Sequence, residues 1–410
     1  MTKFRKIVSS SITIVTMLSL VITIMPIIQF AAAQSTAIQI DSDGAINSSS
    51  SDVPLQRDGD NYRLTGDSGP IFVKKSNIII DGMGYTIERR NANDVYGGIV
   101  LSEVQNVTIK NFSIKSTSFG VSMRYCSNIT IANNTISGVW HPIPMAQLPA
   151  AIKIDSSNYN TITDNRLEDN NVGMLLWGDS KGNLIVGNSI LRSVLDGIRL
   201  YEASGNTFYH NNFDNSKNVD DIGWDSGRGA RSVNIWDNSE EGNFWSNYNG
   251  SDANGDGIGD TGYQINLQNV DDFPLMEPFN RTYYLLKTTP PKISLVSPIS
   301  QVYNQTDVPL TFIVDKTINW VGYSVNNGAN ITINGNLTSI QLPQGTHNLT
   351  IYATDDFGNT GASKAVTFTV NAETVTFSPA LAVSIFAVSA GAVVCFIVLL
   401  YLRKRRNQKP

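Results

Sequence analysis

A short internal repeat is the feature that most restricts how this 410-residue chain can fold. Between residues 95 and 213, segments of the form Gly-apolar-x-apolar alternate with segments such as NVTIKNFSI and NTITDNRL. Successive copies lie 22, 31, 23 and 23 residues apart, so the period is 22 to 23 with one insertion near residues 138–149. A repeat of this kind indicates a solenoid, in which each unit packs only on its neighbours.

The residues within each repeat predict β-structure. Apolar residues alternate with polar ones over three to five positions between Gly, Asn and Asp turns, which is typical of short strands. The period is too short for a four-stranded propeller blade, and the lack of a helical stretch argues against a leucine-rich horseshoe. The sequence therefore predicts an all-β chain whose main domain is a parallel β-helix of about three short strands per coil.

Asparagines recur at one turn position of the repeat, namely Asn134, Asn165, Asn188 and Asn211. Asparagine tolerates left-handed backbone conformations, and its amide can bond to the asparagine one coil further along. These residues are therefore predicted to be structural and not ligands.

The coils and the segment after them resemble a known family. Coils with NxI motifs are followed by NIWDNSEEGNFWSNYNGSDANGDGIGDTGYQI and then by DDFPLMEPF. Over roughly residues 60–279 the chain resembles β-helix proteins of the NosD type (periplasmic copper-binding), in the pectin-lyase-like superfamily, which are common on archaeal cell surfaces. The resemblance implies a right-handed parallel β-helix. It implies little about activity, because this fold hosts lyases, hydrolases, epimerases, adhesins and binding scaffolds.

Changes in composition predict the domain boundaries. After residue 279 the coil motifs stop, and seven short alternating stretches between residues 292 and 370 predict a small sandwich. The predicted organisation is a signal peptide at 1–33, an N-terminal cap at 34–75, β-helix coils at 76–215, a C-terminal cap at 216–280, a linker at 281–291, an Ig-like β-sandwich at 292–371, a transmembrane helix at 379–402 and a basic cytoplasmic tail at 403–410.

Both ends of the chain carry apolar segments. A run from Ile7 to Phe30 precedes Ala31-Ala32-Ala33, so cleavage after Ala33 is expected, although the length of the run leaves an uncleaved anchor as the alternative. The 23 uncharged residues Ala380–Leu402 are followed by four basic residues, which predicts one membrane span. The chain is therefore expected to be a single-pass cell-membrane protein with residues 34–375 outside the cell.

Charge and cysteine content exclude other classes. The net charge is −5 and no basic stripe lies outside the tail, so nucleic acid is not an expected partner. Cys395 lies in the predicted membrane span and Cys126 outside it, so no intrachain disulfide is expected. Eleven Asn-x-Ser/Thr sequons suit a secreted chain.

The outward side chains of the Gly-apolar-x-apolar strands predict a ligand-binding face. Neighbouring coils lie about 4.8 Å apart, so equivalent positions should form columns along the stack. Flat aromatic rings with charged neighbours suit sugar rings, and the predicted partner is a polysaccharide or a cell-envelope glycan. The predicted ligand-binding residues are Arg124, Trp140, Lys153, Asp155, Trp177, Arg199 and Tyr201.

Two alternatives to this binding face remain open. In the first, Trp177 and Tyr201 only stack on each other and Asp155 pairs with a neighbouring cation. In the second, the protein is a polysaccharide lyase, hydrolase or epimerase. The residues available to such an enzyme are Arg124, Lys153, Asp155 and Arg199. They complete no recognisable motif, so no catalytic residue is assigned.

The segment GSDANGDGIGDTGY predicts a structural calcium site. Its oxygen ligands would be Asp252, Asn254, Asp256, the main-chain oxygen of Ile258, and Asp260. Tyr263 occupies the twelfth position and no helices flank the loop, which excludes an EF-hand; Asp271 or Asp272 is expected to complete the site. A metal-free Asx-turn is the alternative.

Copper, which the family resemblance names, is not expected to bind. Copper sites use clustered His, Cys or Met, whereas the three histidines of this chain are about 70 or more residues apart and no Met-rich run occurs.

Overall fold

The computed structural model describes most of the chain between residues 37 and 372. It divides between Arg281 and Thr282 into two compact units. The predicted signal peptide and the predicted transmembrane helix lie outside the described residues, and no helix within the described part is long and apolar enough to span a bilayer. The described residues are 37–48, 52–88, 97–140, 148–222, 230–334, 338–372 and Arg403.

The first unit is a parallel β-helix, as predicted, with three sheets that we name sheet A, sheet B and sheet C. Sheet A contains, in pairing order, Ile46–Ser48, Ile38–Ile40, Ile71–Val73, Ile99–Ser102, Val121–Arg124, Ala150–Asp155, Val172–Trp177, Asp196–Tyr201 and Val219–Asp221. Sheet B contains Leu55–Asp58, Asn61–Leu64, Ile78–Asp81, Val107–Lys110, Thr130–Ala132, Thr161–Thr163, Leu184–Val186 and Thr207–Tyr209. Sheet C contains Thr86–Glu88, Ser113–Lys115, Thr135–Ser137, Arg166–Glu168, Ser189–Leu191, Asn212–Asp214 and Phe244–Trp245.

The repeat produces this architecture because equivalent residues of successive coils are register partners. Ile131 pairs with Ile109 on one side and with Ile162 on the other, and all three side chains are fully buried. Columns of this kind fill the interior with closely packed branched side chains. The apolar core is therefore continuous along the stack.

Aromatic side chains close the C-terminal end of this core. Phe208 stacks on Trp236 with ring centroids 4.3 Å apart, and Phe213 stacks on Trp245 at 4.4 Å. Tyr263 covers the other side of Trp245 at 4.3 Å. It lies in a hairpin formed by Tyr263–Asn266 and Asn269–Asp271.

The stack extends beyond the predicted coil boundaries of 76 and 215. Ile38–Ile40 already pairs in parallel with Ile71–Val73, although antiparallel partners such as Ile46–Ser48 cover the first strands. At the other end, Val219–Asp221 and Phe244–Trp245 continue sheets A and C. These outer coils lack the repeat motif, so their pairing could not be predicted from the sequence.

Two ladders of buried asparagine run along the stack. The predicted ladder is present: the backbone N–H and the Nδ2 of Asn165 both donate to Oδ1 of Asn188 at 3.0 Å, and Asn188 donates in the same way to Asn211. A second ladder, which sequence analysis missed, follows the first asparagine of NTIT, NLIV and NTFY. Its members are Asn160, Asn183, Asn206, Asn234 and Asn269.

Asp271 ends the first ladder with a carboxylate. Its Oδ2 accepts hydrogen bonds from the backbone N–H of Asn243 at 2.7 Å and from Nε1 of Trp245 at 2.8 Å, and Oδ1 accepts from the backbone of Phe273 at 3.1 Å. A carboxylate suits the last position because it accepts hydrogen bonds and need not donate one. Burial raises the pKa of Asp271 to about 6, against the opposing effect of these donors.

The second unit consists of β-strands around a core of its own. Each of the seven stretches predicted to be strands contains one, and most pairings are antiparallel. The predicted linker 281–291 differs, because residues 281–288 form a helix that ends before Pro290 and Pro291. The strands are Ile293–Ser297, Val302–Tyr303, Asp307–Pro309, Thr311–Val314, Trp320–Val325, Ile331–Thr332, Ser339–Gln341, Gly345–Thr354, Thr360–Ala362 and Val366–Val370.

The buried carboxylate of Asp271 predicts that stability depends on pH. Its folded pKa of about 6 lies above the ordinary aspartate value of 3.8. The folded state therefore holds the proton more tightly, and the free energy of unfolding falls as the pH rises from about 4 to about 6. The fall is on the order of 2 to 3 kcal/mol.

Thermal unfolding of the full chain across this pH range measures the effect. In Asp271→Asn this fall in the free energy of unfolding should be absent, because asparagine does not titrate. Asp179→Asn, at an exposed position, keeps the wild-type profile. Identical pH profiles for wild type and Asp271→Asn would contradict the assignment.

Candidate functional site

The structure places four of the predicted ligand-binding residues in one outward column on sheet A. Arg124 is the register partner of Asp155, Asp155 of Trp177, and Trp177 of Tyr201. The strict period of the repeat produces this column, because each residue lies one coil from the next. We name Arg124, Lys153, Asp155, Trp177, Arg199 and Tyr201 the sheet A face.

Trp177 and Tyr201 form a stacked pair. Their ring centroids are 4.1 Å apart and their planes differ by 11°. This is the contact described by the first alternative above, and it covers one face of each ring. Trp177 is nevertheless 36% exposed, so part of its ring is accessible to a ligand.

Asp155 is shared by two cations. Its Oδ2 lies 3.6 Å from Nζ of Lys153 and 3.8 Å from Nε of Arg124, and Ser156 donates to its Oδ1 at 3.1 Å. The Arg124 side chain is 60% exposed, whereas that of Lys153 is 14% exposed. Burial lowers the pKa of Lys153, against the opposing attraction of Asp155.

Arg199 is held between two carboxylates that sequence analysis did not identify. Its guanidinium contacts Asp196, and its Nε lies 3.5 Å from Oδ2 of Asp220, which Lys217 also contacts. Burial raises the pKa of Asp196, and the positive charge of Arg199 opposes this shift. The available sequence signal was Asp196 at a position where the preceding coils carry Ala150 and Val172.

An apolar cluster covers the middle of the sheet A face. Leu175 lies in register between Lys153 and Arg199, and it packs with Ala150 and Val172 against the partly buried Leu148. Lys153 and Arg199 point outward, but their side chains are only 14% and 12% exposed. Asp155 is 16% exposed and Tyr201 is half-buried, so Arg124 and Trp177 form the accessible part of the face.

Trp140 lies outside this column, in the turn after the sheet C strand Thr135–Ser137. Its side chain is exposed, and its backbone N–H donates to the carbonyl of Thr117 at 3.2 Å. Most of the insertion that follows, residues 141–147, lies outside the described part of the chain.

The acidic loop is closed by hydrogen bonds to its own backbone. The carboxylate of Asp252 accepts from three backbone N–H groups, and those of Asp256 and Asp260 accept from one each, at 2.7–3.2 Å. Asn254 donates from Nδ2 to Asp256 at 2.9 Å, and Ile258 pairs with Leu275. Asp271, expected to complete a metal site here, ends the asparagine ladder instead.

The candidate copper ligands in the described part of the chain do not converge. His210 bonds through Nε2 to Glu241 at 2.6 Å and stacks on Phe279, whereas His347 lies in the second unit and bonds to Asn326. Cys126 is buried and donates from Sγ to a carbonyl oxygen. Within the described residues, no group of three or more His, Cys, Asp or Glu side chains is arranged to hold a metal ion. These residues do not fit a copper site.

The β-helix of this chain is similar to proteins of the NosD type. Residues 22–196 match the family model described as "Periplasmic copper-binding protein (NosD)", which confirms the resemblance inferred from the coil motifs. The match begins before the expected residue 60 and does not include the closing segment that follows the coils.

Two curated relatives share part of this sequence. The "Probable ABC transporter binding protein NosD" of Stutzerimonas stutzeri is 28% identical over 167 residues, which are 39% of this chain and 31% of the relative. The protein of the same name from Pseudomonas aeruginosa is 27% identical over 166 residues, 39% of this chain and 32% of the relative. The matched segment thus spans about a third of each relative.

Solved structures that resemble this chain in part of their backbone include two parallel β-helix proteins. The enzymatically active domain of bacteriophage CBA120 tailspike protein 2 shares 14% identity with a TM-score of 0.32, covering 74% of this chain and 50% of that one. A mutant of the periplasmic alginate epimerase AlgG shares 14% identity with a TM-score of 0.23, covering 45% and 56%.

The ion pairs of Arg199 predict a large stability effect of its removal. Arg199→Leu leaves two buried carboxylates without their main counter-charge and should lower the free energy of unfolding by roughly 3 to 5 kcal/mol. Arg192→Leu, which removes exposed pairs with Glu168 and Asp169, should cost less than about 1 kcal/mol.

Urea unfolding followed by circular dichroism compares the two variants. The deficit of Arg199→Leu should shrink as the pH is lowered, because the unpaired carboxylates become protonated. Equal small losses for both variants would show that Asp196 and Asp220 do not depend on Arg199.

Proposed function

We propose that this protein is a cell-surface β-helix protein that binds glycans through the accessible part of its sheet A face. The observation that carries the proposal is the exposed Trp177, stacked on the half-buried Tyr201 beside Arg124 and Asp155. Aromatic rings offer a large flat apolar surface, and adjacent charged groups fix orientation through hydrogen bonds. A sugar ring has matching surfaces, with C–H groups on its faces and hydroxyls around its edge.

The charges of this face favour binding over catalysis. Asp155 is ionically paired with Lys153 and Arg124, so it is suited to accept hydrogen bonds from sugar hydroxyls. Arg124 is the exposed cation and can donate to hydroxyl or carboxylate oxygens. Lys153 holds the carboxylate of Asp155 in place from the same strand. The relatives are also named as binding proteins.

The remaining parts of the chain fit a display role. The β-helix is a rigid support, the β-strand unit would serve as an Ig-like spacer, and residues 379–402 would anchor the chain with residues 34–375 outside the cell. Copper has no part in this proposal.

Binding measurements on the full chain test the proposal. The chain is solubilised in a detergent without a sugar headgroup and applied to a glycan array, and titration calorimetry follows on the best ligand. Trp177→Ala should weaken binding at least about tenfold, or about 1.4 kcal/mol. Phe357→Ala, which removes an exposed aromatic ring from the second unit, should leave the affinity unchanged.

Two results would overturn the proposal. Equal affinities for Trp177→Ala and Phe357→Ala would place the ligand elsewhere. New reducing ends or unsaturated products during incubation would instead support the rival function, a polysaccharide-active enzyme using Arg124, Lys153, Asp155 and Arg199.

We also propose that calcium binds the loop of Asp252, Asn254, Asp256, Ile258 and Asp260 and stabilises the C-terminal cap. Binding would draw these ligands together, because the loop's side chains are not already arranged to hold a metal ion. The support is the loop's position. Met276 donates its backbone N–H to Gly257 at 3.0 Å, and Gly259 donates to Pro274 at 2.8 Å. Leu275, which lies between Pro274 and Met276, forms a β-bridge with Phe244 of sheet C.

Thermal unfolding with and without chelator tests the calcium proposal. At calcium concentrations about 100 times the dissociation constant, binding stabilises by about 2.7 kcal/mol, which should raise the Tm by several degrees. Asp256→Asn should remove most of this increment, whereas Asp307→Asn in the second unit should retain it. A Tm that is the same with calcium and with chelator would show that the loop is an Asx-turn only.

A further inference from the structure

A polar groove lies on sheet C, separate from the sheet A face. It encloses about 610 Å³, within the range of about 300 to 1,000 Å³ typical of ligand pockets. One end is open at Gly84, where an added Cβ would have no atom within 4 Å. We name it the sheet C groove, defined by Ser113, Lys115, Asn133, Thr135, Ser137 and Glu168.

Two rows of polar side chains form its floor. Ser113 pairs with Thr135 in one row, and Lys115, Ser137 and Glu168 follow one another in the next. Successive side chains in each row lie about 4.8 Å apart because they belong to successive coils. Hydroxyl groups both donate and accept hydrogen bonds, so the floor can bind a hydroxylated ligand at several points.

The negative side of the groove is already neutralised. Glu168 lies 2.6 Å from Arg166 and 3.0 Å from Arg192, and Arg192 also pairs with Asp169 at 2.8 Å. The hydrogen bond from Arg166 and that from Arg192 lower the pKa of Glu168, so it is ionised at neutral pH. This cluster of two cations and two anions carries no net charge.

Lys115 is different because its charge is not compensated by direct contact. Its side chain is exposed, and among the described residues it has no ion-pair partner within 4.0 Å, although Glu88 is its neighbour in the ladder. An exposed ammonium next to hydroxyls favours an anionic, hydroxylated ligand.

We propose that the sheet C groove binds an acidic glycan, with an anionic group of the glycan at Lys115 and sugar hydroxyls at Ser113, Thr135 and Ser137. The glycan has two conceivable sources. It is either a free polysaccharide or a glycan carried by this chain itself, because Asn133 begins a sequon at the rim of the groove and is exposed.

The first experiment uses the full chain made in a host without N-glycosylation, in a detergent without a sugar headgroup. The probes are oligogalacturonate and a neutral galactose oligomer of equal length. Oligogalacturonate should bind more tightly, and Lys115→Met should weaken it at least about tenfold. Lys181→Met removes an exposed lysine that pairs with Asp179 outside the groove, and it should bind as wild type.

Further variants separate this site from the sheet A face. Ser137→Phe should fill the groove and abolish oligogalacturonate binding, while Trp177→Ala should not change it. Thermal unfolding verifies that each variant is folded. Equal losses in Lys115→Met and Lys181→Met would overturn the proposal without bearing on glycan binding at the sheet A face. Loss in Trp177→Ala would overturn it by placing oligogalacturonate on the sheet A face instead.

A second experiment distinguishes the two sources. Peptide mass analysis of the chain from its native cells shows whether Asn133 is modified. If the groove holds the chain's own glycan, native protein should fail to bind oligogalacturonate and the unglycosylated protein of the first experiment should bind it. If the ligand is a free polysaccharide, Asn133 is unmodified and both proteins bind; absence of binding in every preparation overturns the proposal.

Discussion

Hydrogen bonding of the buried turns is the constraint on which this fold depends. Each coil turns several times within about 23 residues, and its turn amides are covered by the neighbouring coils, where water cannot reach them. Asn165, Asn188 and Asn211 meet this requirement by accepting from the coil before and donating to the coil after. Because a one-residue slip would break every such bond, the ladders fix the register of all three sheets.

Fixed register explains which parts of the site could be predicted from sequence. The column of Arg124, Asp155, Trp177 and Tyr201 follows directly from the period, and the structure has it. Asp220 and Asp271 could not be found in this way, since their roles depend on burial and on partners distant in sequence. The contacts of the insertion also could not be predicted from the repeat. Leu148 packs against Leu175, and no repeat pattern indicates this contact.

The two polar surfaces differ in how their charges are compensated. On sheet A, Lys153 and Arg199 are largely buried and paired with carboxylates. Their outward orientation therefore does not make them available to a ligand. On sheet C, Glu168 is the compensated group and Lys115 the exposed one. Counting charges along the sequence does not separate these cases, because some compensating neighbours, such as Arg124 for Asp155 and Asp220 for Arg199, come from adjacent coils.

The first asparagine ladder has a direction, since every member donates towards the C-terminal end and Asp271 only accepts. A whole coil could therefore be inserted or removed in the middle of the stack, and each asparagine would still find the same kind of partner. The last coil cannot be exchanged in this way, because the residue that ends the ladder must accept hydrogen bonds without having to donate one. β-Helices built on this scheme can thus differ in length by complete repeats, provided that the terminating carboxylate and its aromatic cap are inherited together as one piece.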